Sequence, residues 1–162
     1  MILDDLNARE KFLFVLGWEM ALGARHLDTK QPALVYIHYD PAEIRELTLD
    51  ASDTALKLGE IMDCLRQAFR TTDLIARDGT SFWILAPYAH SDSVMGKVNQ
   101  VIRTAPNNGL AIAHSNVRVF LLDDYIRTDT AAYPSAQALL DSLLQEPAQE
   151  PVMWSVPSHL RH

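Results

Sequence analysis

Apolar residues recur at helical spacing across residues 6–26, where Phe12, Val15, Leu16, Met20 and Leu22 follow a 3.6-residue repeat. This predicts a long first helix, with some of its aromatic side chains shared with a partner. After Pro32 the pattern changes to ALVYIHYD, a run of β-branched and aromatic residues closed by Pro41, which suits a buried strand. Pro41 fits the first turn of a short helix over residues 41–47. The polar break at residues 50–53 can cap a longer helix over residues 54–69, whose apolar stripe is Leu58, Ile61, Met62, Leu65 and Phe69. DLIA and SFWIL then flank Asp78-Gly79, a dipeptide that tolerates the positive φ angles of a two-residue hairpin turn. A helix over residues 91–103 follows, stopped by Pro106 and Asn-Asn-Gly. GLAIAH and VRVFLL read as two further strands around Ser115-Asn116, and SAQALLDSLL reads as a last helix behind Pro134.

Adjacent hairpin strands pair antiparallel, so this order of elements cannot be a simple parallel winding. It predicts an α+β fold with a mixed or antiparallel central sheet of about five strands flanked by helices. Residues 1–145 make one domain, and residues 146–162, with three prolines and little periodicity, read as a tail that is mobile or docks elsewhere. A chain of 162 residues, 48% hydrophobic, is long enough for one real core and short for two.

A net charge of −7 argues against a broad nucleic-acid surface, which needs many cations to displace counterions. The single cysteine, Cys64, sits in an apolar helical pattern and reads as a small buried hydrophobe in a reducing setting. No stretch approaches the ~18 apolar residues of a membrane span, and the N-terminal acids do not suit a signal peptide. The expectation is a cytoplasmic protein with no membrane insertion. No Ser-His-Asp order, Walker loop or glycine-rich dinucleotide turn is present. His38 and His114 fall on expected strands near Asp40, but their spacing is not that of a metal site. Trp18, Trp83 and Trp154 read as core or interface anchors.

Three stretches, in order, carry a resemblance: LDDLNAREKF, ALVYIHYD and FRTTDLIARDGTSFWILAP. Over about residues 3–145 they resemble the first helix, the first strand and the signature hairpin of GGDEF domains, a bacterial diguanylate cyclase family with a palm-like, ferredoxin-like core. The resemblance implies condensation of two GTP molecules into cyclic di-GMP by a dimer. It implies divalent metal held by carboxylates at the end of the first strand and in the hairpin turn. Those positions fall on His38 and Asp40, and on Gly79, Thr80 and Ser81, a turn one residue short and without its acids. Neutral hydroxyls and one imidazole are poor ligands for magnesium. For guanine recognition, Asp53 matches one family position, while the other falls near Glu46, with no asparagine. The expectation is therefore a degenerate, non-enzymatic signalling module with no resident cofactor.

The family's inhibitory RxxD motif is present as Arg70, Thr71, Thr72 and Asp73. By resemblance it binds cyclic di-GMP: an arginine fork suits guanine or phosphate, and a carboxylate accepts from guanine N–H groups. A further cation from the helix over residues 91–103 completes such a clamp; Gln100 falls nearest that place, with Lys97 and Arg103 about one turn away. Arg-x-x-Asp is equally a surface ion pair worth ~0–1 kcal/mol. Two readings stand: a receptor for cyclic di-GMP, or a scaffold that forms a homodimer or docks on a protein partner through the first helix and the Trp154 tail.

Overall fold

The structure, a computed structural model, describes residues 2–23, 32–87, 91–105, 110–126 and 133–146. The helices are α1 (Ile2–Gly23), α2 (Pro41–Leu47), α3 (Ala51–Ala68), α4 (Ser91–Thr104), α5 (Asp123–Ile126) and α6 (Ala136–Gln145). The strands are β1 (Ala33–His38), β2 (Leu74–Asp78), β3 (Ser81–Ala86) and β4 (Val117–Leu121). They form one antiparallel sheet in the order β2-β3-β1-β4.

Alternation along the two central strands divides the core into two layers. Ala33, Val35 and Ile37 of β1, with Phe82, Ile84 and Ala86 of β3, pack with Leu58, Ile61 and Leu65 of α3 and Val94, Val98 and Val101 of α4. On the opposite face, Leu34, Trp83, Leu85 and Phe120 pack with Phe12, Leu16 and Met20 of α1 and Leu139, Leu140 and Leu143 of α6. Because helices cover both faces, all six residues of β3 are buried, which explains why SFWILA is nearly all apolar.

Local chemistry sets the ends of these elements. Asp50 caps α3 by accepting from the Asp53 backbone N–H at 2.8 Å, so that helix begins at Ala51, three residues before the expected start. In the hairpin Asp78 pairs with Ser81, which makes Gly79 and Thr80 the two loop residues. Only Gly79 takes a positive φ, 61°, where a Cβ would be strained. Helix α1 starts at Ile2, ahead of the expected residue 6, while residues 24–26 of that expectation and the tail at 147–162 lie outside the described residues.

Among the described residues the sheet has four strands, not the expected five. Leu110 and Ile112 are buried as strand residues would be, yet the backbone groups around them are taken by side chains. Tyr39 Oη donates to the Leu110 carbonyl at 3.0 Å, and Asn116 Oδ1 accepts from the Ala113 N–H at 2.9 Å. The expected hairpin at Ser115-Asn116 is instead a single 3₁₀ turn, His114–Asn116, leading into β4. His114 therefore lies in a turn rather than on a strand. Among the described residues no helix is long and apolar enough to cross a membrane.

Phe82 is fully buried between the sheet and α3/α4, whereas Phe14 on α1 is 72% exposed. Phe82→Ala is expected to cost about 3–5 kcal/mol and Phe14→Ala no more than about 0.5 kcal/mol. Urea unfolding of the two variants checks the difference.

Candidate functional site

The β1–β3 register places His38 opposite Ser81 at the end of the central strand pair. Tyr36, two residues before His38 on β1, shares its face. The three side chains form one hydrogen-bonded group. Tyr36 Oη donates to Ser81 Oγ at 3.0 Å, and Ser81 Oγ lies 2.8 Å from His38 Nδ1. With one hydroxyl proton and two lone pairs, Ser81 Oγ can accept from Tyr36 and still either donate to His38 Nδ1 or accept from it, according to the imidazole tautomer. The Tyr36 and His38 rings are parallel, with centroids 5.9 Å apart, and Trp83 lies against Tyr36 at 4.5 Å.

The neighbouring positions are used structurally. Thr80 Oγ1 donates to the Tyr39 carbonyl at 2.8 Å, and the Tyr39 N–H donates to the Thr80 carbonyl at 3.2 Å. Asn116 Nδ2 reaches across to the His38 carbonyl at 3.0 Å. The Asp40 carboxylate accepts from the Ala42 N–H at 2.9 Å, capping α2. Asp53 Oδ2 accepts from the Leu49 N–H at 2.8 Å and pairs with Lys57 at 3.3 Å. The Leu49 N–H holds the Asp53 carboxyl below the usual carboxylate range. Glu46 is exposed on the last turn of α2.

This donor set does not fit magnesium. The ion takes hard anionic oxygens in a near-octahedral shell. The apex offers hydroxyls and an imidazole bonded to one another, and two carboxylates engaged elsewhere, Asp40 with the end of α2 and Asp78, opposite Ser81, with Arg9 at 3.6 Å. Among the described residues no three His, Cys, Asp or Glu side chains gather as metal ligands.

The RxxD motif lies at the other end of β2, about 16 Å away for a five-residue strand. It is a closed turn: the Arg70 N–H donates to Asp73 Oδ2 at 2.9 Å, and the Asp73 N–H donates to the Arg70 carbonyl at 2.9 Å. Lys97 Nζ donates to the same Asp73 oxygen at 3.1 Å and sits 5.4 Å from the centre of the Phe69 ring. The Asp73 side chain is only 4% exposed. Arg70 itself is exposed. Of the three residues considered on α4, the structure brings Lys97 to the motif, while Gln100 and Arg103 are exposed farther along the helix.

Sequence reasoning passed over two members of the apex. Tyr36 carries a legible signal, since a strand places residues i and i+2 together. Asn116 carries none, because its contact with β1 spans 78 residues.

Because Asp73 is nearly buried, removing it strips both a turn cap and the partner of a largely covered ammonium. Asp73→Ala is expected to destabilise the protein by about 2–3 kcal/mol, more than an exposed ion pair is worth. Pairing it with Lys97→Met is expected to recover part of that loss, which a double-mutant cycle in urea measures.

No family model matches the sequence, and no curated protein matches it. Solved structures do resemble the fold. The chain is 22% identical to the GGDEF domain of PA1120 (YfiN or TpbB) from Pseudomonas aeruginosa, with a TM-score of 0.60 over 82% of both chains. A second structure of that protein, a deletion mutant comprising only the GGDEF domain, gives 21% identity and a TM-score of 0.56 over 86% of both chains. The diguanylate cyclase SiaD of the same organism, solved in complex with its activator SiaC, gives 19% identity and a TM-score of 0.53 over 68% of this chain and 44% of that one. By fold the chain is a GGDEF-like domain.

Proposed function

We propose that the chain is a signalling module on the GGDEF-domain fold that makes no cyclic dinucleotide and acts by contact with a partner protein. The carrying observation is the Tyr36–Ser81–His38 group at the strand apex, where the resemblance puts metal carboxylates. Joining two nucleoside triphosphates requires the phosphate charge to be spread by metal or cations. Losing about 4 kcal/mol of such stabilisation slows a reaction about a thousandfold. The apex provides neutral hydroxyls, an imidazole and two carboxylates, Asp40 committed to α2 and Asp78 paired with Arg9. That SiaD is found with an activator protein supports a partner-driven output for this fold.

A second reading, binding of cyclic di-GMP, is favoured by the exposed guanidinium of Arg70 on a rigid turn. An arginine fork so placed can meet a guanine edge or a phosphate. The Asp73 carboxylate is less suited, since Lys97 and the turn N–H already occupy it.

Incubation with GTP and magnesium or manganese is expected to leave the nucleotide unconverted on chromatography, and a cyclic dinucleotide peak would overturn the proposal. Calorimetric titration with cyclic di-GMP is expected to give no heat at concentrations on the order of micromolar. Heat that vanishes in Arg70→Ala would instead establish the receptor reading.

A further inference from the structure

One margin of the sheet is β4, and among the described residues it pairs with β1 alone, so no strand lies along its other side. Its apolar side chains are also incompletely covered. On the α3/α4 side Val35 and Ile37 of β1 are 0% and 2% exposed, whereas Val119 and Leu121 of β4, on that same side, are only half-buried. An open strand edge recruits other chains unless it is covered or charged. The strand's one charged residue, Arg118, is drawn to the α1/α6 side, where its guanidinium sits 5.0 Å from the centre of the Phe120 ring.

The end of α6 is fastened at this same margin. Arg118 Nη2 donates to the Glu146 carbonyl at 3.0 Å, and Tyr125 Oη donates to the Glu146 carboxylate at 3.1 Å. The Tyr125 ring in turn meets Phe120 edge-on at 6.0 Å. The chain therefore continues from beside the Phe120 end of β4. Residues 147–151 can span at most about 17 Å. They lead to VMWSV, residues 152–156, an apolar run set between Pro151 and Pro157. Proline falls at strand margins because it has no N–H for the ladder, and the run between these two has the five residues of β4.

We propose that residues 152–156 add to the open edge of β4 as an antiparallel fifth strand from the same chain. Val152 then stands opposite Leu121, Trp154 opposite Val119 and Val156 opposite Val117, which covers the half-buried side of β4. Met153 falls beside Phe120 and Ser155 beside Arg118 on the other side. Main-chain bonds supply the attachment and the alternating side chains fix the register. A short connection keeps the segment at high effective concentration, so it closes the edge to other chains.

Hydrogen exchange of the full chain, read by mass spectrometry, tests this. Amides of residues 152–156 are expected to exchange at least about tenfold more slowly than those of residues 158–162. Met153→Pro/Trp154→Pro removes ladder N–H groups on both sides of the segment. It is expected to abolish that protection and to speed exchange in β4 while β3 stays protected, which also shows that the variant folds. Fast exchange at 152–156 in the unaltered chain, or unchanged exchange of β4 in the proline variant, would overturn the proposal. Protection at 152–156 that disappears in Phe14→Ser/Trp18→Ser, two exposed positions on α1, would overturn it in favour of docking on that helix. A dimer seen by sedimentation and dissolved by the proline changes would overturn it in favour of a strand exchanged between two copies.

Discussion

The register of β1 on β3 is the constraint from which the apex follows. With Ile37 opposite Phe82 and His38 opposite Ser81, Val35 and Ile37 enter the α3/α4 layer while Tyr36 and His38 turn to the α1/α6 side. A slip of one residue would exchange the two sets. Burying one aliphatic side chain is worth about 1.5–3 kcal/mol, whereas a hydrogen bond nets about 0.5–1.5 kcal/mol. Expelling Val35 and Ile37 from their layer would therefore outweigh anything gained by rearranging the apex hydroxyls. Packing sets the register, and the Tyr36–Ser81–His38 group is assembled as its consequence.

Polar groups at the strand ends are then satisfied from within the chain. The carbonyls of His38, Tyr39 and Leu110 each accept from a side chain, those of Asn116, Thr80 and Tyr39 respectively. Burial, more than the nearby Cys64 and Glu43, pushes the Tyr39 hydroxyl above its usual range, so it stays protonated and able to donate. Among the described residues no buried side-chain nitrogen or oxygen lacks a partner. The RxxD turn follows the same rule, with Asp73 serving Arg70 and Lys97 at once. A group already paired inside the protein must give up or share that pairing before it can bind a ligand, which sets Asp73 and the apex hydroxyls apart from the exposed Arg70 side chain.

Helices and hairpin were legible in the sequence wherever one local signal decided the matter. The Leu58–Ile61–Met62–Leu65 stripe gave α3, and Asp78-Gly79 marked the turn between β2 and β3. The fifth strand failed because buried alternation at Leu110 and Ile112 looks the same whether the backbone pairs with a strand or with side chains. The deciding partner, Tyr39, is 71 residues away. At the RxxD turn the sequence could name the helix over residues 91–103 but not its rotation. Lys97 reaches Asp73, beside the Phe69 ring, because it flanks the buried face of α4, three residues after Val94 and four before Val101.

The unspent surface chemistry lies away from both motifs. Phe14 and Trp18, four residues apart, are exposed on the outer face of α1, and Leu56 is exposed on α3. Screening confines electrostatic influence to about 8–10 Å at physiological salt. The acids of residues 40–63 are spread from α2 along α3, about 20 Å from Asp50 to Asp63, so they do not act on one point of the surface. Under the contact-driven reading, the uncovered apolar side chains, more than the internally bonded polar motifs, are where another protein would engage the domain.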